Sequence, residues 1–213
     1  MEISFFLISI SSLFALINPI GITPIILTAT ENFTIKEYNR TIVKGIIIAG
    51  VILLLFALIG QYILSFYEIT IYAFKIAGGI LFLRIGINML EAKVSRTKST
   101  PKESEEALNN EDIALSPIAI PIIAGPGAIT SVMLLSAEAS TYNQKIIFYF
   151  SIVIVLAITF IILSLGKVFI RKLGTTGLRV IQRIMGLLLM VIAVQFILDG
   201  LSLVAIDFIR NNF

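Results

Sequence analysis

The sequence predicts an all-α membrane protein of six transmembrane helices, arranged as two inverted three-helix repeats with broken first and fourth helices. Three observations carry that prediction. Hydrophobic residues fill 58% of the 213 positions, charged residues only 14%, and mean hydropathy is +1.02. A soluble domain carries roughly 25% charged residues, so this chain is too poor in charge to cover a water-facing surface. Six segments reach the length of about 20 apolar residues that crosses a bilayer: 3–29, 41–66, 70–91, 113–137, 144–170 and 178–203. A shift of 107 residues lays the second half of the chain on the first.

The first span has Glu2 and no Lys or Arg ahead of its apolar run. It therefore lacks the positive n-region of a signal peptide and is expected to be retained as a membrane helix. The third span carries Gly79 and Gly86, seven residues apart and so on one helix face, and the sixth repeats the spacing with Gly186 and Ala193. Such stripes of small residues let helices approach closely, and packing is the reading adopted for them. Between the third and fourth spans, 92–112 reads AKVSRTKSTPKESEEALNNED. This polar stretch has no core of its own and is expected to be a solvated linker. It divides one integrated transmembrane domain into a first repeat, 1–91, and a second, 113–213.

Orientation follows from Lys and Arg placement. The connection 30–44 holds Lys36, Arg40 and Lys44; 92–112 holds Lys93, Arg96, Lys98 and Lys102; 166–183 holds Lys167, Arg171, Lys172, Arg179 and Arg183. The opposite face has Lys145 and Arg210. Twelve basic residues against two predict a multi-pass protein of the cell (inner or plasma) membrane, with both termini outside and those three connections cytoplasmic.

The repeat shows in detail as well as in hydropathy. The shift places NPIGIT at 18–23 on GPGAIT at 125–130, and Pro19, Ile22, Thr23, Leu27 and Glu31 meet Pro126, Ile129, Thr130, Leu134 and Glu138. Each half has an odd number of spans, so the second enters the membrane from the opposite face, as in many secondary transporters.

Both aligned motifs break helices. Proline removes a backbone donor and clashes with the carbonyl one turn earlier. Glycine permits backbone angles that other residues resist. Asn18, Pro19, Ile20, Gly21 and Thr23 form one candidate site half, and Gly125, Pro126, Gly127, Ala128 and Thr130 the other. Lipid cannot satisfy the amides and carbonyls freed at a break, so they face protein, water or a ligand. A zwitterionic amino acid needs both kinds of group, amides for its carboxylate and carbonyls for its ammonium. The Thr23 and Thr130 hydroxyls and the Asn18 amide are further candidate partners.

Other chemistries are excluded or disfavoured. The chain has no His and no Cys, which removes His-dependent hydrolases, thiol nucleophiles and the usual zinc sites. No enzyme activity, metal or cofactor is expected, and no pattern for nucleic acid is present. Lys75 and Arg183 are placed to snorkel to the interface, Arg84 shares a face with Asn88, and Glu68 and Asp199 lie towards the outer interface. No carboxylate falls at mid-membrane, where proton-driven carriers usually hold one. The residues thus assign neither proton nor sodium as coupling ion, and they set no oligomeric state.

NPIGITPI near the start, GPGAITS opening the second half and the six-span layout resemble the MarC family, which includes the SnatA-type small neutral amino acid transporters. The resemblance covers essentially the whole chain. It implies a bacterial or archaeal inner-membrane protein that moves glycine, alanine or serine, held between broken first and fourth helices. Gly125 stands where the first motif has Asn18, so the two halves need not bind alike. The alternatives are an exporter of another small metabolite or ion, of the LysE-like kind, and a membrane scaffold whose broken helices merely pack.

Overall fold

The computed structural model describes residues 2–91 and 114–212, which are helical almost throughout and contain no strand. In chain order the helices are α1 (Glu2–Ile17), α2 (Pro19–Ala29), α3 (Ile35–Phe66), α4 (Ile71–Leu90), α5 (Ala114–Ile123, wound as a π-helix), α6 (Pro126–Glu138), α7 (Tyr142–Ser164) and α8 (Gly166–Asn212). The linker expected at 92–112, with its four basic residues, lies outside the described residues.

Five helical stretches are long and apolar enough to cross a membrane: Glu2–Ala29, Ile35–Phe66, Ile71–Leu90, Tyr142–Ser164 and Thr176–Ile206. The span expected at 113–137 is divided at Ala124 and Gly125 into α5 and α6, of 10 and 13 residues, each too short to cross alone. The fifth span stops at Ser164 instead of 170, and most of the expected 166–183 connection is helix. The basic residues there mark contact with water, and the end of a helix protruding from a membrane meets water as a loop does. Arg171, Lys172, Arg179 and Arg183 are accordingly exposed on α8. Gly174 kinks this helix with φ 61 and ψ 177, a conformation that requires glycine.

The uninterrupted helices start at sequence-encoded caps. Thr34 and Glu37 form a capping box: the Thr34 amide donates to Glu37 Oε2 at 2.8 Å, and the Glu37 amide donates to Thr34 Oγ1 at 3.3 Å. Thr141 and Gln144 do the same for α7, with both bonds at 3.2 Å. Each device satisfies two amides that the first turn leaves without acceptors.

Packing comes in matched sets. Helix α1 lies on α7 and α5 on α3, while α2 lies on α8 and α6 on α4. The most extensive seam joins α4 to α8. A Cβ on Gly79 would stand 2.8 Å from the Ala193 carbonyl oxygen, one on Gly86 2.9 Å from that of Gly186, and one on Gly186 2.8 Å from that of Gly86. The stripe is therefore a packing surface on which two backbones touch. Between α3 and its neighbours, Tyr38 Oη donates to the Leu163 carbonyl at 2.6 Å, Ser136 Oγ to that of Ala57 at 2.6 Å, and Gln61 Nε2 to that of Ser136 at 2.8 Å. Around this interior, Ile47, Val51, Leu55, Phe150, Val153, Leu187 and Val191 are exposed. Apolar residues in such rows belong against lipid.

Candidate functional site at two helix breaks

The first break is centred on Asn18. Its amide closes α1 by donating to Phe14 O at 2.9 Å. Its backbone then turns left-handed, with φ 50 and ψ 58. Proline disfavours helical angles in the residue before it, and Asn is among the few residues that tolerate the left-handed region. Pro19 has no N–H, so the Ala15 carbonyl loses its helical donor. The Gly21 amide turns to Asn18 Oδ1 at 3.2 Å, and Ile22 N donates to Asn18 O at 3.1 Å, restarting the helix as α2. The carboxamide that the sequence offered to a ligand is thus engaged as a cap through its oxygen. Its nitrogen lies beside Gly21, where a Cβ would also meet Gln182 Nε2 at 2.7 Å.

The second break is built differently. Helix α5 closes with Ala124 N donating to Ala119 O at 2.9 Å, and Gly125 is extended with φ −77 and ψ 171. Pro126 follows as the first residue of α6, and Ile129 N donates to Gly125 O at 3.0 Å. No side chain caps this end. The Gly127 and Ala128 amides belong to the first turn, which has no intrahelical acceptor for them. Both residues are buried.

The expected reason for glycine at 125 and 127 is corrected here. Neither has a positive φ; among the described residues only Gly174 is a glycine that does. Gly127 sits where space is tight, since a Cβ there would stand 3.0 Å from Leu16 Cδ2 and 3.0 Å from Ile85 Cδ1. The start of α6 therefore abuts the last turn of α1. The carbonyl end of one helix carries about half a negative charge and the amide end of the other about half a positive one.

The two threonines make their contacts elsewhere. Thr23 is buried, its hydroxyl donates to Pro19 O at 2.7 Å, and its methyl lies 2.7 Å from where a Gly166 Cβ would be. The Thr130 methyl lies against α4, 3.1 Å from a Cβ placed on Gly78. Pro19 is buried, Ile20 and Gly21 are partly so, and Pro126 is exposed. The residues brought together across the junction are thus Gly127 of α6, Leu16 of α1 and Ile85 of α4.

A family model described as MarC family integral membrane protein matches residues 3–205. The chain belongs to the MarC family. A UPF0056 membrane protein of Methanocaldococcus jannaschii is 42% identical over 94% of this MarC chain and 98% of its own length. UPF0056 membrane protein YvbG of Bacillus subtilis is 41% identical, over 95% and 96%. UPF0056 membrane protein YhcE of Escherichia coli is 34% identical, over 89% and 88%. No solved structure matches the chain.

Two polar features of this MarC protein escaped the sequence reading. Ser9, Ser12 and Ser131 are fully buried, and their hydroxyls have no partner. Ser11, Thr23, Thr28, Thr30, Ser151 and Thr159 instead bond back to the carbonyl four residues earlier. Lys75, expected to snorkel, pairs with Glu138 at 2.7 Å, with side chains 11% and 21% exposed. Lys75 lies just after one connection and Glu138 just before another, both on the face expected to be outside, but only the packing of α6 on α4 makes them partners.

Proposed function

We propose that the chain is a transporter of small neutral amino acids such as glycine, alanine and serine, working by alternating access and catalysing no reaction. The observation that carries this reading is the contact between the last turn of α1 and the uncapped start of α6. Leu16 in the last turn of α1 packs on Gly127 in the first turn of α6, which brings the carbonyl end of one helix near the uncapped amide end of the other. An amino-acid zwitterion complements that junction, with its carboxylate on the Gly127 and Ala128 amides and its ammonium on the α1 carbonyls. A helix N-terminus is a ready anion site. Small substrates fit because Leu16 and Ile85 leave little room beside Gly127.

The architecture proposed for this activity is six crossings in two inverted repeats: α1 with α2, α3 and α4, then α5 with α6, α7 and α8. The Thr34 and Thr141 capping boxes support it, because they lie at the same 107-residue shift as the broken motifs. The matched packing of α1 on α7 and α5 on α3 supports it too. Both termini would lie outside, with 30–44 and the basic part of α8 in the cytoplasm. The test is radiolabelled glycine flux in liposomes containing the purified protein, with proton and sodium gradients imposed separately. Glycine accumulation under one gradient is expected and names the coupling ion. No flux and no glycine binding under either gradient refutes the reading and leaves the scaffold alternative.

A further inference from the structure

We propose that Lys75 and Glu138 are the latch that closes this protein to the outside, an inference that rests on the transport reading above. Helices α4 and α6 run antiparallel along a continuous seam. At its inner end Ile85 meets Gly127. Further out, a Cβ on Gly78 would come within 2.7 Å of Leu134 Cδ1 and 3.1 Å of Thr130 Cγ2. The Lys75–Glu138 ion pair, at 2.7 Å, completes the seam where both helices reach the face of the 67–70 and 139–141 connections. In the proposed opening α6 parts from α4, which uncovers the Gly127 side of the seam and breaks the pair.

Neither charge is favoured by its own helix. Lys75 is the fifth residue of α4, close to a positive helix end, and Glu138 is the last residue of α6, at a negative one. Each is held by the other while the seam is shut, and opening gives up that attraction as both charges return to water. An exposed surface pair would be nearly indifferent to the choice.

The pair is not repeated at the matched positions. The 107-residue shift carries Lys75 to Gln182 and Glu138 back to Glu31. Gln182 is uncharged and lies against Gly21, while Glu31 is exposed. The pair therefore has no counterpart under the shift and belongs to one end of the α4–α6 seam alone.

The experiment uses the full chain with Ser131→Cys as its only cysteine, reconstituted in liposomes and treated with an impermeant maleimide on the face of residue 140. Ser131 is fully buried, two turns before Glu138 on the same face of α6. Labelling of the parent is expected to be slow. Glu138→Gln should speed it about tenfold by shifting the population towards the open state. The swapped chain, Lys75→Glu with Glu138→Lys, should return it to the slow rate. Equal rates in the parent and Glu138→Gln overturn the latch. If Glu138→Gln aggregates, the swapped chain decides: slow labelling supports the latch and fast labelling overturns it. Labelling needs no amino acid, so fast labelling of Glu138→Gln without glycine flux in the parent refutes the substrate and keeps the latch. Glycine flux with unaltered labelling does the opposite.

Discussion

At residue scale, Asn18 and Gly125 occupy matched positions before matched prolines, yet they leave different chemistry behind. Asn18 caps its own helix and uses up an amide; Gly125 cannot, and the amides after it stay available. Gly125→Asn should copy the first break onto the second. Its extended backbone suits an N-cap residue, and the exchange should change stability by only a few tenths of a kcal/mol. Glycine flux should fall roughly tenfold, because one charge-assisted hydrogen bond of about 1.5 kcal/mol is lost to the internal cap. Flux together with thermal unfolding checks this, and undiminished flux would show that the α6 amides hold no carboxylate. Gly127 tests the same junction by bulk. Gly127→Val should abolish flux and cost about 1–3 kcal/mol of stability, since even its Cβ would press on two side chains. Gly127→Ala should fold, because Leu16 and Ile85 touch it only with flexible side-chain ends, and should retain part of the flux. Normal flux in the Val variant would remove the α6 break from the mechanism.

Among the elements, the α4–α8 seam is the least forgiving. A Cβ on Gly186 meets the Gly86 carbonyl at 2.8 Å and the Leu90 amide at 3.0 Å, and neither is a side chain that can swing aside. Gly186→Val should therefore destabilise the protein by at least the upper part of the roughly 1–3 kcal/mol range for overpacking. Leu187→Val, one residue along on an exposed face, should be close to neutral. Thermal unfolding of the two variants in one detergent makes the comparison, and equal stability would contradict the seam. This element was legible in advance because its signal is local: small residues at a spacing of seven need no partner to be noticed. The proline breaks were legible for the same reason. The continuation of helix through 166–183 was hidden, since positive charge reports water and says nothing about where a helix stops. The π-winding of α5 leaves no mark in composition. The Lys75–Glu138 pair could not be read as a contact until α4 and α6 were known to be neighbours, and the room Gly127 provides became visible only with Leu16 and Ile85 beside it.

For the whole molecule, contacts sort the ends of the helices into two faces. Glu2 accepts a hydrogen bond from Asn143 Nδ2 at 3.0 Å, which puts the N-terminus beside the 139–141 connection. The Tyr38–Leu163 bond ties the start of α3 to the end of α7 at the other face. Basic residues favour the second face for the cytoplasm. Single cysteines at Ser140 and Asn32, both exposed, should then behave oppositely in intact cells. Ser140→Cys should react with an impermeant thiol reagent, and Asn32→Cys should stay protected until the membrane is permeabilised; the reverse pattern would invert the orientation. The central seam carries a last implication. Gly79 opposes Ala193 while Gly86 opposes Gly186, and the shift that relates the halves turns the first pairing into the second. Reciprocity of this kind defines an isologous contact, the sort made by two copies of one chain across a two-fold axis. A single three-helix unit bearing the stripe could form the same seam with a twin inserted upside down. Under the inverted-repeat architecture proposed above, one chain makes internally the contact that two copies make across an axis, with a self-sufficient cap in one half and open amides in the other.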